Sequence, residues 1–253
     1  MEIAVMESRQ DIRIIQLKET DSTNRWLRDY EGEEGKVLTV AVAESQTCGR
    51  GQGGNRWESE PGRNLTFSMR CRPRALGAAR QFVLLEAGAV AVSHVLKERM
   101  GEGITVKWPN DVYWHDRKIS GTLSECTVSG GYVGQCILGI GINVNQLRFL
   151  SDAPNPVSMA QICGRETALM PLLHEVTVAF SRLLGCIDRG CYSVVDDAYR
   201  ERLFRQGIWA DYEDRDGRFR AVLRSVAADG RLCLEREDGS LSGYAFKEVR
   251  FLV

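Results

Sequence analysis

Residues 46–59, QTCGRGQGGNRWES, set Gly49, Gly51 and Gly54 at the G-x-G-x-x-G spacing with which dinucleotide-binding proteins cradle a pyrophosphate. Successive glycines let backbone N–H groups converge on an anion without side-chain obstruction. Arg50 and Arg56 can neutralise a phosphate or carboxylate, and Trp57 offers a flat face to a purine. The dinucleotide reading fails on context. It needs a helix directly after the glycines and an acidic residue about twenty positions on, whereas NRWESEPGRN follows, with Pro61-Gly62 and Asn64 opposing a helix. No Gly-Lys-Ser/Thr follows, so a P-loop is excluded. An RNA-binding Arg-Gly tract would repeat, and this stretch occurs once. A loop that closes on an anionic ligand and a solvated flexible loop both stay open.

Two further clusters carry chemistry-bearing types. In Lys107-Trp108-Pro109-Asn110-Asp111, the oxygens of Asn110 and Asp111 can hold a base, a ribose or a metal, while Trp108 suits a core. Lys118 begins the strand after the next turn, which would hold it rigidly, although a surface lysine would read the same way. The third cluster, GIGINVN, is a strand whose glycines permit close approach of another group, with Asn143 as donor and acceptor at its end.

The elements that must position these residues are legible from their periodicities. IRIIQL reads as a strand opening the fold at about Ile12, and TDSTNRWLRDY as a loop entering a helix capped by Asp21, Ser22 or Thr23. VLTVAVAES suits a buried strand, and NLTFSMRCR alternates Leu65, Phe67 and Met69 with polar neighbours. From Ala78 to Met100 the apolar spacing predicts a long amphipathic helix. ITVKWPNDVYWHDRKISGTLSECTV reads as a strand, a Pro-centred bend and a hairpin turning at His115–Arg117, and GYVGQCILGIGINVN as a further strand. Residues 151–164 read as loop and short helix, and Leu169–Ile187 as a second long helix burying Leu173, Val176, Phe180, Leu183 and Ile187. After Gly207 three Asp-Gly turns (at Asp216, Asp229 and Asp238) separate short strands, which fits a small SH3-like barrel. The expected fold class is therefore α+β: a mixed-sheet domain over residues 1–204, followed by an SH3-like β-barrel over 205–253.

Composition narrows the function classes. Lys and Arg number 33 against 34 Asp and Glu, a formal charge of −1, so no long-range field exists for wrapping nucleic acid or a membrane. No unbroken apolar run reaches the roughly 18 residues of a bilayer span, and the N-terminus lacks the order of a signal peptide, so a cytoplasmic location without membrane contact is expected. The eight cysteines are scattered without C-x-x-C, and the histidines number three, which argues against zinc, disulfides and a nucleophile–histidine triad.

In this order and spacing, DSTN, ESQTCGRGQGGNRWES, KWPNDV with RKISGTLSE, and GIGINVN make the chain resemble the biotin–protein ligases, from about residue 13 to the C-terminus. The resemblance implies an enzyme that joins biotin to ATP as biotinoyl-5′-AMP and passes the biotinoyl group to one lysine of a biotin carboxyl carrier domain of a biotin-dependent carboxylase. It implies a biotin site of Ser22, Thr23, Asn24, Gln46, Gly49, Arg50, Lys118 and Gly121. It implies an ATP and adenylate site of Arg50, Gly51, Gln52, Arg56, Trp57, Asn110, Asp111 and Asn143. Lys118 and Arg50 become the catalytic residues. Mg²⁺ is expected with ATP, with Asp111 as the ligand to examine, and Lys247 of the barrel as a further contact for the phosphates. Two other readings stand beside this one. A lipoate or octanoate ligase or transferase shares the architecture but would want an apolar tunnel. A non-catalytic biotin or nucleotide sensor would not need Lys118.

The sequence departs from the family pattern in two places. Many members carry an N-terminal helix–turn–helix; a first strand at about Ile12 would leave no room for one, so no DNA binding is expected. Monomer and homodimer are both open. The family loop commonly reads G-R-G-R, whereas this one reads Gly49-Arg50-Gly51-Gln52, one charge fewer over the adenylate. The adenylate should therefore escape more readily than from a Gln52→Arg variant. The check is labelling of a bystander protein by enzyme, biotin and ATP; equal labelling by the two proteins would remove the idea.

Overall fold

A computed structural model describes residues 2–7, 12–32, 38–51, 54, 56–150 and 155–252. The β-branched runs form an eight-stranded sheet of β1 (Glu2–Glu7), β2 (Ile12–Thr20), β3 (Leu38–Gln46), β4 (Leu65–Cys71), β5 (Ile104–Lys107), β6 (Asp111–Trp114), β7 (Arg117–Ser129) and β8 (Tyr132–Ile142). Its spatial order is β1-β2-β3-β4-β8-β7-β6-β5. β2 and β3 pair in parallel, joined through helix α1 (Thr23–Asp29), and the other neighbours are antiparallel. The sequence reading missed β1, so the fold does not open at Ile12.

Strand alternation loads the two faces differently. On one face Ile12, Ile14, Leu38, Val40, Val42, Leu65, Phe67, Met69, Leu138, Ile140 and Ile142 join the main core with α2 (Phe82–Met100) and α4 (Leu169–Asp188). On the other, Ile15, Leu17, Ala41, Ala43 and Ile137 pack against Leu27, Trp26 and Tyr30 of α1. The polar partners in β4 are not solvated: Thr66 and Ser68 are buried on that second face. Helix α2 differs from expectation too. It is buried almost all round from Val83 to Leu96, because the sheet, α4 and α5 (Ser193–Arg200) enclose it. The sequence reading did not anticipate α5, and α4 buries Leu184 where Leu183 was expected. By length and composition Ala78–Met100 and Leu169–Asp188 would each suffice to cross a bilayer, but here they pack against each other on the sheet. A short α3 (Met159–Cys163) carries a capping box between Ser158 and Gln161.

Beyond α5 a five-stranded antiparallel sheet follows: β9 (Trp209–Asp214), β10 (Gly217–Val226), β11 (Leu232–Arg236), β12 (Leu241–Tyr244) and β13 (Val249–Phe251), in the order β12-β11-β10-β9-β13. Gly217, Gly230 and Gly239 take positive φ in the three Asp-Gly turns. The core of this small sheet does not stand alone. Tyr212, Leu223, Leu234 and Phe251 share a cluster with Ala89 and Val90 of α2, Val106, Trp108 and Tyr199. Trp108 Nε1 donates to the Gly230 carbonyl at 2.9 Å, and Tyr199 Oη to the Pro109 carbonyl at 2.8 Å.

At the same junction Glu86 of α2 is buried beside Asp196 of α5, which Arg80 grips through both carboxylate oxygens at 2.9 Å. Burial, then the charge and hydrogen bond of Asp196, push the Glu86 carboxyl up to about 8, against the pull of Arg80 and Arg200. Between its ordinary value of 4.5 and about 8 the folded chain holds a proton that the unfolded chain releases, so this contribution to stability falls as pH rises through that window. A Glu86→Gln variant should therefore gain about 2–4 kcal/mol relative to the unaltered chain between pH 5 and pH 8.5, read by urea unfolding. A constant difference across that range would contradict it.

Candidate active site

The second face of the sheet is where side-chain volume runs out. Opposite the large apolar residues, β4, β7 and β8 present Thr66, Ser68, Gly121, Gly139 and Gly141. A Cβ on Gly139 would collide with the Asn24 amide, and one on Gly141 would lie inside the Trp57 indole. The space above this face is a cavity of about 520 Å³, a size that suits a small-molecule site. It is lined from four directions: α1, the glycine loop, the β5–β7 segment and the last strand of the barrel.

At one end sits a buried polar set. Ser22 is the N-cap of α1, yet its side chain makes no capping bond; its carbonyl takes the Trp26 N–H at 2.9 Å, and its own N–H goes to Asp21 Oδ1 at 2.6 Å. The Thr23 hydroxyl, expected as a cap, turns to Gln46 Oε1 at 3.1 Å, which also accepts the Thr23 N–H at 2.7 Å. Thr23 Oγ1 lies 2.7 Å from Ser68 Oγ, which donates to Asn24 Oδ1 at 2.5 Å. Asn24 Nδ2 donates to Glu125 Oε2 at 2.9 Å. An unpartnered buried polar group costs about 1–3 kcal/mol, so such a set persists only because its members satisfy one another.

The glycine loop closes the mouth. Instead of opening a helix it returns on itself through an antiparallel bridge between Arg50 and Arg56, with Trp57 N–H on the Gly49 carbonyl at 3.1 Å. A methyl on Gly49 would lie 2.6 Å from the Trp57 carbonyl oxygen, which accounts for that glycine. Arg50 Nη1 reaches Glu125 Oε1 at 3.3 Å. Gln52 lies outside the described residues. The buried Trp57 Nε1 and Thr122 Oγ1 have no hydrogen-bond partner among the described residues, and both residues line the cavity.

The charged centre stands on β6 and β7. Their pairing skips a residue between Val112 and Tyr113, a bulge that brings Lys118 and Gly121, three positions apart, to the same cavity. Lys118 Nζ lies 2.7 Å from Asp111 Oδ1 and 5.9 Å from the Trp57 ring centre. Its backbone is held on the other side as well, its N–H on Asn155 O at 2.8 Å and its carbonyl under Val157 N–H at 2.9 Å. Lys107 Nζ bonds the Tyr113 hydroxyl at 3.2 Å, and burial lowers its pKa, with Asp111 opposing. Phe246, Lys247, Arg250 and Phe251 of the barrel complete the far wall.

Of the residues singled out from sequence, Ser22, Asn24, Gln46, Arg50, Gly51, Arg56, Trp57, Asn110, Asp111, Lys118 and Gly121 line this one cavity. Thr23 and Gly49 stand directly behind it. Asn143 does not line it: at the end of β8 it is buried, donates to the Val157 carbonyl at 3.1 Å, and accepts the Met159 N–H on its own carbonyl at 3.1 Å. It therefore fastens the segment that backs Lys118. Asn110 is lodged against the Thr122 carbonyl. Sequence reasoning missed Ser68, Glu125 and the barrel residues Phe246, Arg250 and Phe251, and gave Lys107 no role. Glu125 was visible in RKISGTLSE, two residues beyond Leu123 on the same strand face; the barrel residues gave no signal, because nothing local says which strand docks on the cavity. Among the described residues no group of three or more His, Cys, Asp or Glu side chains could hold a metal.

The chain matches the biotin/lipoate A/B protein ligase family over residues 17–143, a stretch that holds the sequence-predicted site from Ser22 to Asn143. It is 41% identical over 135 residues to the bifunctional ligase/repressor BirA of Escherichia coli, covering 53% of this chain and 41% of that protein. It is 33% identical over 204 residues to the biotin–[acetyl-CoA-carboxylase] ligase of Mycobacterium tuberculosis, covering 78% of this chain and 73% of that one. The matches span about half or less of the BirA proteins of E. coli and Bacillus subtilis. In three dimensions it superposes on the biotin protein ligase of Aquifex aeolicus in complex with biotin and ATP, with a TM-score of 0.78 and 26% identity over 97% of this chain and all of that one. From the family match, the shared fold and the cavity that the matched residues build, the chain belongs to the biotin/lipoate A/B protein ligase family.

Proposed function

We propose that the chain is an ATP-dependent biotin–protein ligase, with residues 1–204 as the catalytic unit and 205–253 as a barrel that walls the nucleotide end. The observation that carries the reading is the position of Lys118. It shares one cavity with Ser22 and Gln46, which suit a neutral ring rich in donors and acceptors, and with Trp57 and Asn110, which suit a purine. Aquifex aeolicus ligase, on the same fold, is seen with biotin and ATP.

The chemistry follows from charge. A biotin carboxylate oxygen attacks the α-phosphorus of ATP, the bond from that phosphorus to the α,β-bridging oxygen breaks, and pyrophosphate leaves with that oxygen. Two anions must meet, and the Lys118 cation between them offsets their repulsion and stabilises charge on the in-line transition state. Asp111 holds that ammonium in place at 2.7 Å. Arg50 stands at the mouth to meet the carboxylate and the α-phosphate, and the orphaned Trp57 Nε1 offers a donor to the adenylate. In the second step the amine of a carrier-domain lysine attacks the acyl carbon of the mixed anhydride, AMP departs, and the amine loses a proton. A divalent cation such as Mg²⁺ would neutralise the triphosphate; with Asp111 as the carboxylate of the Lys107–Lys118 centre, the cation arrives mostly ligated by the phosphates and water.

The family also contains lipoate ligases. The polar Ser22–Gln46 end speaks for a ureido ring instead, because an acyl chain there would meet donors and acceptors where it needs an apolar tunnel. Pyrophosphate release with ATP should therefore be supported by biotin and fall by at least about a hundredfold in kcat/KM with lipoate or octanoate. A preference for either fatty acid would overturn the substrate assignment. Lys118→Ala should lower the rate of adenylate formation by about 10²–10³ while biotin binding, followed by calorimetry, survives. Undiminished turnover would show that the lysine is not catalytic.

A further inference from the structure

Glu125 lies one step behind the cavity, on β7 and on the face of Gly121 and Leu123. Its carboxylate gathers three donors from two different elements: Asn24 at 2.9 Å and Arg28 at 3.0 Å from α1, and Arg50 at 3.3 Å from the glycine loop. Arg28 and Arg50 are about half exposed, so these pairs do little for global stability. What they do is tie the stance of a loop arginine to a helix. An arginine has five N–H donors; a carboxylate taking one of them from behind fixes the plane of the guanidinium and leaves others facing the cavity.

The helix end of this tie is in turn wired to the polar end of the cavity. Asn24 uses its Nδ2 on Glu125 and its Oδ1 on Ser68, so its amide orientation is set by both. Between Asn24 and Gln46 stand two hydroxyls, Ser68 and Thr23, with one proton each. Three contacts compete for those protons: Thr23 to Gln46 at 3.1 Å, Thr23 with Ser68 at 2.7 Å, and Ser68 to Asn24 at 2.5 Å. One contact is therefore always unmade, and the relay has three proton arrangements, one of which withdraws the Ser68 proton from Asn24. A ring that offers an acceptor to Thr23 or a donor to Gln46 selects among them, and the selection reaches Asn24 and then Glu125.

We propose that Glu125 is a positioning residue that couples occupation of the Thr23–Gln46 end of the cavity to the stance of Arg50 at its mouth. This rests on the ligase reading above. Its content is energetic coupling between two ends of one ligand: the ring end sets the relay, the relay sets Glu125, and Glu125 presents Arg50 to the anionic centre of the acyl-adenylate.

The experiment follows release of synthetic radiolabelled biotinoyl-5′-AMP, loaded onto the full chain and chased with unlabelled ligand, so that no variant needs catalytic competence. Glu125→Gln should speed release about fivefold in the native background and less than about twofold when Arg50→Ala is already present, the non-additivity expected of residues acting through each other. Ser68→Ala, which cuts the relay at its middle, should speed release to a similar degree. Arg28→Ala, which removes a comparably exposed arginine from the same carboxylate, should change it less than about twofold. Additive effects of Glu125→Gln and Arg50→Ala, no effect of Glu125→Gln or Ser68→Ala, or an equal effect of Arg28→Ala would each overturn the coupling. Failure of the unaltered chain to hold biotinoyl-5′-AMP at all is a different result, and it sinks the ligase reading together with this one.

Discussion

The floor of the cavity is set by the two-residue period of two neighbouring strands, β4 and β8. β4 and β8 turn leucine, isoleucine, phenylalanine and methionine toward α2 and α4, and threonine, serine and glycine toward the cavity and α1. The first set supplies the burial that holds the sheet. The second leaves space, and what fills that space is fixed by how little is there: Trp57 lies on Gly141, Asn24 on Gly139, and the Lys118–Asp111 pair over Gly121. A slip of one residue in the β4–β8 pairing would put apolar bulk into the cavity and polar residues into the core. Register here is at once a matter of stability and of function.

Within that frame the charges are arranged in opposed pairs. Asp111 steadies Lys118, and the half-buried Lys107 opposite that aspartate on β5 has its charge disfavoured by burial. Glu125 steadies Arg50. Lys118 and Arg50 thus each have an acidic partner at the cavity. Such an arrangement fixes geometry before the ligand arrives, so that little reorganisation is needed when charge develops.

Much of this was legible in the residue order. The strands of the sheet from Ile12 onward, the hairpin at His115, the three Asp-Gly turns and the rejection of a dinucleotide motif all follow from local chemistry that the fold respects. The failures are those of context. Helix α2 shows an apolar stripe in sequence, yet it is buried almost all round because α5, a short helix, covers a further side. Ser22 and Thr23 look like caps; the hydroxyl of Thr23 is claimed instead by Gln46, twenty-three positions away. Asn143 looks like a ligand contact, and its amide is spent on the Val157 carbonyl. Barrel residues Phe246 and Arg250 could not be placed, because their role depends on how two sheets dock.

Trp108 ties that docking to the cavity. Trp108 fills the junction of the two units, its indole N–H on the Gly230 carbonyl and its ring 6.3 Å from that of Phe246. It directly precedes Pro109, Asn110 and Asp111, so the tryptophan that seats the barrel and the aspartate that steadies Lys118 share one short rigid stretch of chain. For protein engineering this means that the barrel is not an exchangeable module. A chimera that imports a different C-terminal sheet inherits the wrong turn against Trp108, and the mismatch is delivered three residues later, at the carboxylate of Asp111.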